Sequence, residues 1–163
     1  MGRNIRILSV SAMLVLGLFA AQAARATSGA HFFSASGSVD STGALVVSWD
    51  EAGVGMDTVN YTLHADATAT YACINGGGNH PKAANKETVN GPLDSSFSRQ
   101  ATKNGRVKSS TSTGPLGAGD FSCPSGQRFV LASVSYTNIL LTDTTNGVAI
   151  AIADQSRTFV DIS

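Results

Sequence analysis

From Val59 to Cys73 every odd position is apolar or small: Val59, Tyr61, Leu63, Ala65, Ala67, Ala69, Tyr71 and Cys73. The even positions from Thr58 to Thr70 are all polar. Period-two alternation of this length predicts a strand with one buried and one wet face. It exceeds an average strand, which predicts a bend or bulge near the alanines. Weaker patterns place further strands at 32–39, 44–49, 88–93, 97–103, 106–111, 128–141, 148–153 and 157–162. Turn signals separate them, and Pro81, Pro92, Pro115 and Pro124 fall at segment edges or in loops, where a missing N–H breaks no ladder. No segment beyond the first 26 residues carries a period of 3.6. The chain therefore predicts a mainly β protein, a single antiparallel β-sandwich with immunoglobulin-like or jelly-roll-like layers. Trp49 precedes both cysteines, so the immunoglobulin order of Cys, Trp, Cys is absent and the topology stays open.

Two Asn-Gly pairs between β-like runs predict hairpins. A two-residue turn at Asn146-Gly147 sets Leu141 opposite Ile152 and Asp143 opposite Ile150. A turn at Asn104-Gly105 pairs Lys103 with Arg106, Ala101 with Lys108 and Arg99 with Ser110. Alternation then brings Arg99, Lys103, Arg106 and Lys108 onto one face.

The first residues change this picture. Arg3 and Arg6 precede an apolar run from Ile7 to Ala20, and small-residue exits follow at Ala23 and Ala26, with a later one at Ala30. This predicts a secretory signal peptide over 1–26 and a sandwich domain over 27–163. No later run is long enough for a membrane span. Loss of Arg3, Arg6 and Arg25 leaves 8 Lys and Arg against 11 Asp and Glu, so the mature chain is mildly acidic. That excludes a general nucleic-acid binder, which needs clustered excess cations. Charged residues are only 13% of the chain; Ser, Thr, Asn and Gly supply the polar surface instead. Export into an oxidising compartment predicts that Cys73 and Cys123, the two cysteines present, form a disulfide. Neither has a second ligand at zinc-type spacing.

Two clusters are candidate ligand contacts. The basic hairpin face of Arg99, Lys103, Arg106 and Lys108 suits an anionic partner, although lysines on an edge also stop sheets pairing edge to edge. The loop after Cys73, "INGGGNHPKAANK", offers His80, Lys82, Asn85 and Lys86 as donors beside three glycines. It matches neither the phosphate-cradling nor the dinucleotide-binding glycine pattern. Asp50, Glu51 and Asp57 lack calcium-loop spacing, and adjacent carboxylates on a strand point to opposite faces. His64 and Asp66 share an outer face, but no nucleophile turn accompanies them.

With "SGSVDSTGALVVSWDEAGVG", "VNYTLHADATATYACINGGGNHPKAANKE" and "GAGDFSCPSGQ" in view, the chain resembles small secreted proteins of actinobacteria to which no activity is assigned. The resemblance implies export and a single domain, and it carries over no catalytic residue. The sequence thus predicts a non-catalytic secreted binding protein without a cofactor or metal. Its expected partner is a cell-wall polymer, an acidic glycan or an extracellular protein. One alternative is a copper-dependent polysaccharide-active enzyme, as in lytic polysaccharide monooxygenases. It requires cleavage after Ala30, so that an N-terminal His31 chelates copper with His64 or His80. Another is a secreted inhibitor or effector that binds a protein.

Overall fold

The computed structural model describes residues 29–75 and 85–162; the predicted signal segment 1–26 and the loop residues His80 and Lys82 lie outside them. Among the described residues there are eight strands and no helix. They are β1 (His31–Val39), β2 (Leu45–Ala52), β3 (Thr58–Asn75), β4 (Lys86–Gln100), β5 (Arg106–Thr113), β6 (Gln127–Asp143), β7 (Val148–Ile152) and β8 (Gln155–Thr158). One sheet has the order β1-β2-β5. The other runs β4-β3-β6, with β7 and β8 lying end to end along the far side of β6. All pairings are antiparallel, and the two sheets pack face to face as a β-sandwich.

The alternation read in β3 drives this packing. Val59, Tyr61, Leu63, Ala65, Ala67 and Ala69 are buried against Leu45, Val47 and Trp49 of β2. Each large side chain removed from water contributes about 1.5–3 kcal/mol, and the facing sheets bury them from both sides. The small alanines leave room for Tyr136 of β6, which stands beside Ala67. Its buried hydroxyl donates to the Gly43 carbonyl at 2.6 Å, and burial pushes its pKa up to about 12. Gly43 has φ +93° and an added Cβ would lie 2.4 Å from Leu131, so the chain needs glycine where it turns into β2.

The sheets are unequal in length. β3, β4 and β6 hold 18, 15 and 17 residues, whereas β1, β2 and β5 hold 9, 8 and 8. The short sheet therefore covers only one half of the long sheet's inner face. The 114–126 segment covers the rest, placing Leu116, Ala118 and Phe121 against the core. Tyr71 donates its hydroxyl to the Leu116 carbonyl at 2.6 Å, and Phe129 stacks on Tyr71 with ring centres 5.2 Å apart. The Cys73–Cys123 disulfide, with Cα atoms 5.5 Å apart, ties this covering segment to the end of β3.

Three local expectations need correction. The separate strands expected at 88–93 and 97–103 are one continuous strand, β4, which ends at Gln100; Pro92 is tolerated because β4 is an edge strand. The irregularity expected near the alanines is there, but its extra residues lie in β6 and there are two: one between the partners of His64 and Asp66, where Asn138 adopts φ 52°, and one between those of Thr70 and Tyr71. The β6–β7 connection is slipped by two residues from the predicted hairpin: Ile139 faces Ile152, Leu141 faces Ile150 and Asp143 faces Val148. The cause is Asp143, whose buried carboxylate accepts from the N–H groups of Thr145 and Asn146 and from Asn146 Nδ2. A four-residue loop capped in this way outcompetes the two-residue turn, and it keeps Asp143 away from Ile150.

Candidate functional site

Asn104-Gly105 is a turn, but not the predicted hairpin. β4 pairs with β3 and β5 pairs with β2, so the turn carries the chain from one sheet to the other. The four basic residues consequently part company. Lys103 lies exposed in the turn. Arg106 and Lys108 project from the outer face of the short sheet, opposite the inward Val107. Arg99 has the inward parity of Phe97 and lies at the open seam between the sheets.

Arg99 is consumed by structure. Its guanidinium stands 4.9 Å from the Phe97 ring and 5.9 Å from the Trp49 ring. Nε donates to Ser109 Oγ, and the two terminal nitrogens donate to the carbonyls of Ser98 and Ser110. A cation from β4 thus plugs the unpaired edge of β5. Arg157 of β8 does the same for β1, donating to the Val39 carbonyl at 3.2 Å. At the opposite end, roughly 40 Å along β4 from Arg99, Lys86 opens the strand, and the Asn85 carbonyl accepts from Cys73 N. Asn85 and Lys86 therefore lie far from Arg99.

What gathers around Arg106 was not read from the sequence. β1 contains one extra residue against β2: Phe32 pairs with Glu51 and Ser34 with Asp50, leaving Phe33 as a bulge. Counting back from the inward Ala35, Gly37 and Val39, Phe33 should face the core. The bulge swaps the pair, turning Phe32 inward and Phe33 out to 62% exposure. Phe33 stands between two planar polar groups. His31 meets it edge-on at 4.7 Å, and the Arg106 guanidinium lies 5.4 Å over its face. Arg106 is fixed in turn by Asp50, Nε to Oδ1 at 2.6 Å and the terminal nitrogen to Oδ2 at 2.5 Å. This bidentate bond holds the Asp50 carboxyl below the usual carboxylate range, and Lys108 beside it acts in the same direction. The adjacent Phe32-Phe33 pair, which no simple alternation accommodates, was the available signal.

On the other side of β2, Glu51 points inward and is fully buried, as opposite-face geometry requires. Tyr61 donates its hydroxyl to Oε2 at 2.7 Å, and Oε1 meets no hydrogen-bond donor among the described residues. Burial raises the Glu51 pKa to about 7; the Tyr61 bond opposes that rise and the neighbouring Asp143 adds to it. Burial likewise pushes the Tyr61 hydroxyl far above its ordinary value, so it acts as a donor throughout the physiological range.

His31 and His64 stand on the outward faces of different sheets, so the two cannot share a copper ion. His64 instead meets Asp94 at 2.7 Å, and Asp66 accepts from Asn138 Nδ2 at 2.6 Å. Among the described residues no group of three or more His, Cys, Asp or Glu could hold a metal. No helix among them is long and apolar enough to cross a membrane.

No protein-family model matches the chain, and no curated protein does. One solved structure is similar over 80% of this chain, a β-glucuronidase of Bacteroides uniformis, at 10% identity and a TM-score of 0.27. The chain spans 13% of that protein's length. A likeness this loose carries no argument about the present chain.

Proposed function

We propose that this is an exported, non-catalytic binding protein that holds an extracellular glycan on the outer face of its short sheet. The observation that carries the reading is Phe33, an exposed ring between His31 and an Arg106 locked by Asp50. Sugars present C–H faces that pack on an aromatic ring and hydroxyls that need fixed donors and acceptors around it. A rigid ring flanked by a bidentate Arg–carboxylate pair supplies both with little ordering cost. The signal-like first residues, the disulfide and the sparse charge support export. The resemblance to secreted actinobacterial proteins agrees with it.

A neutral ligand fits better than a polyanion. Arg106 is already neutralised by Asp50, and the donors of Arg99 are taken by the protein. Lys103 and Lys108 remain as outward cations of the predicted basic group. Titrating the secreted protein with neutral and acidic oligosaccharides tests this. Phe33→Ala should weaken a bound neutral glycan on the order of 30-fold, the scale of an anchoring aromatic, without lowering the melting temperature. Added salt should leave that affinity nearly unchanged. Binding that collapses with salt and with Lys103→Glu plus Lys108→Glu, but not with Phe33→Ala, would replace the neutral glycan by an anionic polymer. Retention of a protein and no glycan would make this an inhibitor or effector.

A further inference from the structure

The two outer faces of the sandwich are both carpeted with hydroxyl and amide side chains, but only one is open. On the long sheet the groups bond to one another. Thr58 donates to Gln100, Ser98 to Asn60 and Thr68 to Asn90, and the Thr70 and Thr88 hydroxyls lie 3.2 Å apart. On the short sheet Ser34, Ser36, Ser38, Ser48, Ser110 and Ser112 point outward, all exposed. None of these six hydroxyls makes a hydrogen bond among the described residues.

Register arranges them as a grid. Ser36, Ser48 and Ser110 form one row across β1, β2 and β5; Ser38, Val46 and Ser112 form the next. The row before them is Ser34, Asp50 and Lys108, which joins the serines to the Phe33 platform. Neighbouring rows lie about 7 Å apart and neighbouring strands about 4.8 Å apart. From Arg106 to Ser112 the bed runs for roughly 20 Å. It ends in an open cleft of about 470 Å³ lined by Asp40, Val46, Arg99, Ser110, Thr111 and Ser112.

We infer that this serine bed takes an extended, unbranched, uncharged polysaccharide chain that runs along the strands from Phe33 toward the cleft at Ser112. The inference rests on the glycan reading of Phe33 and specifies its ligand. Serine suits such a chain because each hydroxyl both donates and accepts, so it can match sugar hydroxyls of either polarity. Short serine side chains leave the floor low between the ring at one end and the cleft at the other. The charges around the grid are largely answered by protein partners: Arg106 is paired with Asp50, Lys108 sits beside Asp50 in one row, and the donors of Arg99 at the cleft are taken by Ser109 and by backbone carbonyls. A branched ligand would meet nothing beyond the sheet edges, whereas a linear one meets a new row every two residues. A disaccharide cannot fill a bed of this length.

The test is a chain-length series. Calorimetric titration of the secreted protein uses disaccharides and hexasaccharides of β-1,4-glucan, chitin, β-1,3-glucan and β-mannan. In at least one series the hexasaccharide should bind about tenfold or more tightly than the disaccharide, the increment of further rows engaged. Ser48→Val with Ser110→Val removes the central row with strand-favouring residues. It should bring the hexasaccharide down to the disaccharide's affinity while disaccharide binding and thermal stability persist. Affinity independent of length, or unchanged by the double variant, would overturn the serine bed while leaving the Phe33 platform standing. Absence of binding to every oligomer would overturn both.

Discussion

Reducing the Cys73–Cys123 disulfide, or replacing both residues by serine, should cost the fold about 4 kcal/mol. The bridge closes a separation of 50 residues, and in the chain-entropy model a loop of that size restricts the unfolded chain by this amount. The expected loss is concentrated at one end of the molecule, because the bridge holds the 114–126 segment over the half of the long sheet that β1, β2 and β5 do not reach. Chemical denaturation with and without reductant measures the global loss. Hydrogen exchange locates it: the Tyr71–Phe129 end should lose protection before the Trp49–Tyr61 end. Equal midpoints in the two redox states would show that the covering segment stays docked without its tether.

The second large effect concerns pH. An unfolded glutamate titrates at 4.5, whereas buried Glu51 titrates at about 7. Between those values the native state keeps a proton that the unfolded chain has released, so raising the pH favours unfolding. The contribution present below 4.5 fades through this window and is gone above 7. At about 1.36 kcal/mol for each pH unit, the loss is about 3 kcal/mol. Urea midpoints should therefore fall from pH 5 to pH 8, and Glu51→Gln should flatten the dependence because its amide never ionises beside Asp143. A wild-type midpoint constant across this range, or a Glu51→Gln slope equal to wild type, would contradict the buried carboxyl pair.

Much of the architecture was legible because a strand writes its burial into alternate positions. Where the pattern was strongest, in β3, the strand stands close to its predicted bounds, and so does β6 from a weaker pattern. Pattern says which face is buried, not which strand lies alongside. That is why a correct turn at Asn104-Gly105 yielded a hairpin that does not exist. The turn chemistry is local, whereas the choice between returning beside β4 and crossing to β2 is made by the hydrophobic faces of both sheets. The β6–β7 register failed for a related reason. Asn146-Gly147 signals a tight turn, but a carboxylate three residues earlier can cap a wider one once it is buried.

The candidate site was harder to see. Arg106 and Lys108 were singled out, but their meaning depends on Asp50, which pairing with β2 brings opposite Lys108. Phe33 depends on a bulge that only the neighbouring Phe32 hints at. Glu51 and Asp50 were correctly expected on opposite faces, and the consequence, one carboxylate for the platform and one for the interior, emerges from tertiary packing. The loop at Asn85 and Lys86 stays a predicted contact at the far end from the platform.

The guanidinium groups of Arg99 and Arg157 have an effect on how copies of this chain can meet. At Ser110 and Val39 the carbonyls that a foreign ribbon would need are already claimed, so an approaching strand must first evict an arginine. Crowded molecules should accordingly collide broadside, hydroxyl against hydroxyl through a film of water, and part again. Growth of fibrils by stitching one sandwich onto the next is blocked at both of those points.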